Sequence, residues 1–166
     1  MALKKTSEVI AIGFSASEPA PNTFVQTQVD LQLNPLDQEV FVVVAIDLDP
    51  TSPDVVTNTN TSTLMSLSTT SRTSFGNLNT SSVLANAALD VRADAANHVS
   101  FTRTSLDSPP ATLPYIAIIS TNDFFVQLVG TNNANAKDGF GRLWGYRARA
   151  DAATYAALVQ SEILSA

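Results

Sequence analysis

Cysteine is absent from this sequence of 166 residues, and histidine occurs once, at His98. Without thiols the chain can form neither disulfides nor thiolate metal sites, so cysteine usage gives no information about its redox compartment. A Ser/His/Asp triad would need that histidine beside a nucleophilic serine, and no Gly-x-Ser-x-Gly elbow marks such a serine. We therefore expect that the protein is not an enzyme and that it uses no cofactor.

Charged residues are also scarce, at 14% of the sequence, and the formal net charge is −6. An acidic chain has no general affinity for phosphate backbones, so we expect no sequence-specific nucleic-acid partner. No apolar run approaches the ~20 residues that a membrane-spanning helix needs. No apolar h-region of the kind that a signal peptide requires follows Lys4 and Lys5. These absences predict no membrane partner and synthesis in the cytoplasm of the producing cell.

Short runs of β-branched and aromatic residues are abundant, and turns rich in Pro, Asn and Asp separate them. Residues 25–33 alternate strictly between apolar or Thr and polar side chains, which predicts a strand with one solvated face. Residues 40–48 are apolar on both faces, which predicts a central strand that forms a hairpin with 25–33. The stretch 113–149 predicts a strand, a tight turn, a second strand and a third piece that continues the meander.

Two intermediate segments allow more than one interpretation. Residues 57–82 are dominated by Thr, Ser and Asn, a composition that suits a flexible linker, although the threonines favour a strand near 63–74. Residues 83–92 alternate as a strand does, while their alanines favour a short helix as the competing interpretation.

From Asp151 onward, apolar residues recur every three or four positions, which predicts a C-terminal helix with Asp151 as its N-cap. The many short strands predict one mainly β domain, an antiparallel β-barrel or sandwich that is jelly-roll-like. Its parts would be an extended N-terminal arm at 1–22, a β body at 23–150 and the helix at 151–166.

Three acidic residues near the end of the second predicted strand are weak candidates for a metal site: Asp47, Asp49 and Asp54. Asp47 and Asp49 point to the same side of a strand and could hold Ca²⁺ if carbonyls and another acid completed the shell. Their spacing does not match an EF-hand loop, and acids before prolines more often accept hydrogen bonds in turns. We therefore predict no metal site.

Arginines and aromatic residues interleave in the last predicted strand. In an acidic chain this combination favours protein–protein contacts over base stacking. The alternative places Trp144 and Tyr146 in the core and leaves Arg147 and Arg149 in water. Together with the apolar stripe of the helix, the candidate interface residues are Trp144, Tyr146, Arg147, Arg149, Tyr155, Val159 and Ile163.

The run VDLQLNPLDQEVFVV at 29–43 and the ending RADAATYAALVQSE at 149–162 resemble small structural proteins of marine viruses and phages. The resemblance implies a capsid, cement or related virion subunit with a β-barrel or jelly-roll body. We accordingly expect a non-catalytic virion structural protein, either a capsid or a capsid-decorating subunit, made in the host cytoplasm. It would assemble through β-edges, the N-terminal arm and the helix, with copies of itself and another virion protein as partners.

The alternative function is a non-catalytic ligand-binding β-sandwich, lectin-like and with Ca²⁺ at Asp47 and Asp49. Such a module would use Trp144, Tyr146 and the 131–139 loop against a sugar. Oligomeric state separates the two hypotheses, because a virion subunit assembles whereas a binding module stays monomeric and is stabilised by glycans or Ca²⁺.

Overall fold

The computed structural model describes residues 3–104 and 113–165, and these ranges contain ten strands and one α-helix. The strands are β1 (Leu3–Lys5), β2 (Ile10–Ser17), β3 (Val25–Asp30), β4 (Glu39–Pro50), β5 (Thr61–Ser68), β6 (Val83–Ala93), β7 (His98–Thr104), β8 (Ala117–Ile119), β9 (Asp123–Thr131) and β10 (Asp138–Ala150). A 3₁₀ turn occupies Pro35–Asp37, and the helix α1 spans Ala152–Leu164. The mainly β prediction with one C-terminal helix is confirmed.

The strands form two antiparallel five-stranded sheets. Sheet A has the order β1-β10-β4-β8. Strand β2 also pairs with β10: β1 pairs with residues 148–150 of β10, and β2 pairs with residues 138–145. Sheet B has the order β3-β9-β5-β6-β7. The segment 1–22, predicted as an extended arm, thus contributes two strands that pair with β10 of their own chain. Its contact with a neighbouring subunit stays a prediction.

Two predicted hairpins are wrong. Strand β3 pairs with β9 in sheet B, whereas β4 pairs with β10 and β8 in sheet A. Similarly, β8 and β9 lie in different sheets, and β10 joins sheet A instead of continuing a meander from β9. In each case the chain crosses from one sheet to the other at the turn, because both strands have an apolar face to bury against the opposite layer.

The ambiguous segments resolve into strands and a loop. The strand predicted near 63–74 is β5, which ends at Ser68 after a register shift at Leu67/Ser68. Residues 69–82 then form a loop without regular structure apart from turns. Residues 83–93 form the strand β6, so the helical interpretation of this segment is wrong. The β-branched and apolar residues at alternate positions of β6 outweigh the helix propensity of its alanines, because they bury one face of sheet B.

The main core lies between the two sheets. It contains fully buried side chains from β4, β5, β8, β9 and β10: Phe41, Val43, Met65, Leu67, Ile119, Phe124, Val126, Leu128 and Leu143. The Phe14 ring from β2 meets the Phe124 ring edge-on, with centroids 5.6 Å apart. Burying this many aliphatic and aromatic side chains supplies the main favourable free energy of folding.

Glycines of β10 let core side chains lie directly against its backbone. A Cβ at Gly141 would collide with the Phe14 ring and would stand 2.8 Å from the carbonyl oxygen of Asp47. A Cβ at Gly145 would collide with the Phe41 ring, whose Cζ would be 2.9 Å away. These glycines are therefore required for close packing, since a side chain would occupy the space of the rings.

Candidate functional site

The residues predicted as catalytic or metal-binding candidates do not converge. His98 is exposed at the start of β7 in sheet B, whereas Asp47 and Asp49 are exposed on β4 in sheet A. In residues 3–104 and 113–165, no group of three or more His, Asp or Glu side chains could hold a metal ion. No helix within these ranges has the length and apolar character needed to cross a membrane.

Asp54, the third acidic candidate, is bound within its own chain. The Lys137 ammonium donates a hydrogen bond to Asp54 Oδ1 at 2.6 Å, and the backbone N–H of Asn135 donates to Oδ2 at 2.8 Å. These contacts, the Lys137 hydrogen bond first, hold the pKa of Asp54 below its ordinary value. The carboxylate thus fixes the loop between β9 and β10.

Glu18 and Asn133 hold the same loop from the other side. The buried Glu18 carboxylate accepts hydrogen bonds from the backbone N–H groups of Gly130 at 2.6 Å and Lys137 at 2.9 Å. The buried Asn133 side chain accepts from Asp54 N–H at 2.9 Å and donates to the Ser62 carbonyl at 2.9 Å. The 131–139 loop, predicted to contact sugar, is therefore tied to the body by buried polar groups.

Part of the outer face of sheet A is exposed, and we call it the open face. The pairing places three rows of side chains side by side across β2, β10 and β4. Going along β10, the rows are Ser15–Phe140–Asp49, Gly13–Arg142–Asp47 and Ala11–Trp144–Ala45. The register shift at Trp144/Gly145 leaves Val44 as an extra residue on β4. The bulge keeps Ile46 and Leu48 directed into the core, so Asp47 and Asp49 remain outside.

The core alternative is wrong for Trp144 and Arg147, whereas the Arg149 side chain is exposed as it predicts. Tyr146 packs on the buried side chains of Val40, Val42, Ala148 and Ala150 beneath α1, and the Lys5 ammonium lies 5.2 Å from its ring centre. Trp144 lies partly exposed on the open face. Arg147, on the opposite side, donates hydrogen bonds to the carbonyls of Leu31 at 2.7 Å and Gln32 at 3.1 Å. Arginine can replace apolar packing here because these carbonyls satisfy its guanidinium.

Two ion pairs extend these contacts of the arginines. Arg147 donates to Glu39 Oε2 at 2.9 Å, and Arg149 donates to Asp37 Oδ1 at 2.6 Å. Both acidic partners lie in or beside the connection between β3 and β4. Arg147 and Arg149 are thus engaged within the chain, where they hold this connection against the end of β10. Their assignment to a subunit interface stays a prediction.

Helix α1 covers the remaining part of the outer face of sheet A. Asp151 caps it, because its carboxylate accepts a hydrogen bond from Thr154 N–H at 2.8 Å and its pKa is lowered by that contact. Tyr155 and Leu158 pack on a second apolar cluster whose buried members are Val40, Val42, Ala148 and Ala150. This cluster positions the helix across β4 and β10.

A buried carboxylate fixes the last turns of α1. Glu162 accepts hydrogen bonds from the backbone N–H groups of Ser120 at 2.7 Å and Thr121 at 3.0 Å, and from the hydroxyl groups of both residues. These contacts join the helix to the turn between β8 and β9. Charge-assisted hydrogen bonds of this kind are stronger than neutral ones.

The outward side of α1, which we call the helix face, is apolar and uncharged. Ile163 and Leu164 are 63% and 76% exposed, respectively. Together with Tyr155, Ala156, Val159 and Gln160 they line a shallow groove of about 460 Å³. The predicted interface residues Tyr155, Val159 and Ile163 thus lie on one surface.

Phe140 and Glu162 are the residues that the sequence interpretation missed. Phe140 lies four positions before Trp144 on β10. The two-residue period of a strand could therefore have placed both side chains on the same face. Glu162 is the only acidic or basic residue of the segment 152–164, and an isolated acid in an alanine-rich helix is a signal of a specific contact.

The comparisons with known proteins establish no family. No protein-family model and no curated protein matches the sequence. Among solved structures, the chain is similar to a tailspike protein, gp49 from Acinetobacter baumannii bacteriophage Fri1, which is described as a capsular polysaccharide depolymerase. The match has 13% identity and a TM-score of 0.17, and it covers 73% of this chain and 20% of the tailspike. A similarity at that TM-score supports no conclusion about function.

Proposed function

We propose that this chain is a virion structural protein, a capsid or capsid-decorating subunit, which assembles with copies of itself through the helix face. The observation that carries the proposal is the uncharged, apolar surface that α1 presents to solvent. Helices that border water normally carry charged or polar residues on their outer side. An outward face without charge is typical of a helix that another protein surface covers.

The composition of α1 accounts for this face. Among its 13 residues Glu162 is the only acidic or basic one, and its carboxylate is buried against Ser120 and Thr121. Ile163 and Leu164 remain exposed, and no apolar residue of the described ranges covers them. Covering side chains of this size removes apolar area from water at roughly 25 cal/mol per Å². Association through the helix face is therefore favourable.

A second copy of this chain is the occupant that fits the helix face. Because each chain carries a net charge of −6, contact between two copies adds least charge repulsion where neutral surfaces meet. Ala156 and Gln160 lie between the larger apolar residues of the face, and a small residue at the contact permits an interaxial distance near 8 Å. A two-fold contact would place each face against itself, which satisfies both copies equally.

A shell also requires a second, different contact, because one two-fold interface yields only a dimer. Strand β7 offers one at the margin of sheet B, where it pairs with β6 and with no other described strand. Val99 and Phe101 on this strand are 52% and 50% exposed. An edge with such side chains favours pairing with another chain. The resemblance of segments 29–43 and 149–162 to virus structural proteins supports placing the assembly in a virion.

Light scattering coupled to size-exclusion chromatography tests the assembly. We expect the wild-type chain to elute as an oligomer at about 100 µM, and Ile163→Glu, which leaves the β7 edge intact, to elute as a smaller species. Ser161→Glu is the matched control: it adds the same charge to the last turns of α1, at an exposed position outside the helix face. This control should retain the wild-type oligomer.

Electron microscopy of the oligomeric fraction separates the two virion roles. Closed particles formed by the chain alone indicate a capsid shell, whereas discrete rings or trimers indicate a decorating subunit that binds another virion protein. A wild-type chain that is monomeric at every concentration contradicts the proposal, and so does an Ile163→Glu variant with an unchanged oligomer.

A further inference from the structure

We propose that the open face of sheet A binds a neutral carbohydrate chain laid along β10. The inference uses a different surface from the helix face and does not depend on self-assembly. It rests on the aromatic side chains of β10, on the available polar groups beside them, and on the small residues of β2.

Two aromatic rings on β10 provide stacking surfaces. Phe140 is 49% exposed, and Trp144 is partly exposed on the same side of the strand. Their positions differ by four, which corresponds to about 13 Å along a strand. Flat apolar rings stack against the C–H faces of sugar rings in the same way that they pack on other apolar surfaces. The separation exceeds one sugar ring, so a chain of sugars fits better than a monosaccharide.

Polar groups with free hydrogen-bonding capacity lie between and beside the rings. Arg142 stands between the two aromatic residues, with its guanidinium carbon 5.9 Å from the Trp144 ring centre. Asp47 and Asp49 are paired in register with Arg142 and Phe140. Among the described residues, these three charged side chains make no hydrogen bond or ion pair. Carboxylates can accept from vicinal hydroxyls, and a guanidinium can donate to their oxygens.

The residues that β2 contributes to the open face are small. A Cβ added at Gly13, which is paired with Arg142, would meet no atom within 4 Å. Ala11 and Ser15, the neighbours on the same side of β2, are exposed and small. An extended ligand can therefore lie across this part of the sheet without meeting bulky side chains.

The charges of the open face favour a neutral glycan over other occupants. Each face carries two carboxylates and one guanidinium, so contact between two copies would desolvate carboxylates that lack a cationic partner. The same excess of carboxylates disfavours nucleic acid and anionic lipid surfaces. Sugar hydroxyls are uncharged and can donate to the carboxylate oxygens, so they can replace the water that these groups lose without adding a like charge.

Trp144 gives a direct signal for this binding, because the sequence contains one tryptophan. Its emission would be recorded during titration with four neutral hexasaccharides: cellohexaose, mannohexaose, maltohexaose and hexa-N-acetylchitohexaose. We expect at least one of them to shift the emission to shorter wavelength with a Kd of about 1 mM, as is typical for a shallow exposed site. The expected shift saturates and reports burial of the indole.

Three variants that retain Trp144 test where the sugar binds. Gly13→Arg places a long side chain on the open face and should abolish the emission shift. Asp47→Asn should weaken binding at least fivefold, because it removes a charged acceptor. Asn77→Arg, which adds the same charge in the exposed part of the 69–82 loop, should bind as the wild type does.

The result that overturns the inference is the absence of any emission shift with all four sugars at about 10 mM. Equal binding by wild type and Gly13→Arg also overturns it, because the sugar would then lie elsewhere. An emission shift that appears on raising the protein concentration alone, and that Gly13→Arg removes, would instead assign the open face to contact between copies.

Discussion

The two sheets are covered on their outer sides in physically different ways. On sheet A, α1 contributes apolar side chains over Val40 and Val42, and Glu162 adds one charged contact at the end. On sheet B, the 69–82 loop is held by neutral polar groups. There the buried Gln127 amide donates to Ser68 Oγ at 2.8 Å and accepts from Ser66 Oγ at 2.8 Å.

The cover of sheet B is built on one row of polar residues. The pairing aligns Gln26, Gln127, Ser66 and Asn86 across four neighbouring strands. The loop joins this row through Arg72 N–H, which donates to Gln26 Oε1 at 2.8 Å, and through Gly76 N–H, which donates to Ser66 Oγ at 3.1 Å. Hydrogen bonds fix direction and distance, whereas apolar contacts tolerate small shifts. The polar cover therefore specifies one loop conformation, and the apolar cover leaves α1 an outer face for other contacts.

The largest effect is expected from Gln127→Leu, which removes the centre of the polar row. Ser66 and Ser68 would each lose a buried hydrogen bond and Gln26 a partly buried one, so the free energy of unfolding should fall by about 3 kcal/mol. Urea denaturation measures this change. Gln28→Leu, an exposed glutamine on β3, should change the stability by less than about 0.5 kcal/mol. Equal losses in both variants would show that the row adds no specific stability.

A smaller effect is expected from Glu162→Ala, which removes the charged contact of α1. We expect a loss of about 1–2 kcal/mol, because apolar packing on Val40 and Val42 still holds the helix. Hydrogen exchange should become faster in α1 and stay unchanged in β5 and β9. Ser161→Ala, at an exposed position of the same helix outside the helix face, is the control. Uniform acceleration in both sheets would contradict an independent attachment of α1.

The smallest effect concerns the loop between β9 and β10, which is held by charges. Because the pKa of Asp54 is below its ordinary value of 3.8, its ionised form stabilises the fold above that pH. The contribution is lost as the pH falls through the lower folded-state pKa. We expect Asp54→Asn to lower Tm by about 1–3 °C at pH 7, with the difference shrinking in acid. A constant difference down to pH 2.5 would exclude this ion pair as its cause.

Local patterns predicted much of the fold. The alternation at 25–33 predicted β3, the apolar run at 40–48 predicted the buried part of β4, and Asp151 predicted the start of α1. Strand pairing could not be predicted in this way. Alternation of apolar and polar residues indicates that a strand buries one face, but it does not indicate which sheet contains its neighbouring strand. For this reason β3 and β4 were predicted as a hairpin.

The candidate surfaces were predictable in part. The three-to-four-residue spacing after Asp151 placed Tyr155, Val159 and Ile163 on one stripe, and they do share one surface. Trp144 and Arg147 could not be assigned to faces from their types, because an aromatic residue can be buried or exposed. An arginine is inward only where carbonyls such as that of Leu31 are available, which depends on the distant β3–β4 connection.

The glycines of β10 have a consequence for how sequences of this fold can diverge. The volume absent at Gly141 is occupied by Phe14, and that absent at Gly145 is occupied by Phe41. A side chain gained at either glycine is compatible with the core only if its aromatic partner shrinks at the same time. In relatives of this chain, a larger residue at either glycine position should therefore occur together with a smaller residue at the position of its aromatic partner. Covariation between these alignment columns would identify members of the fold even where overall identity is low.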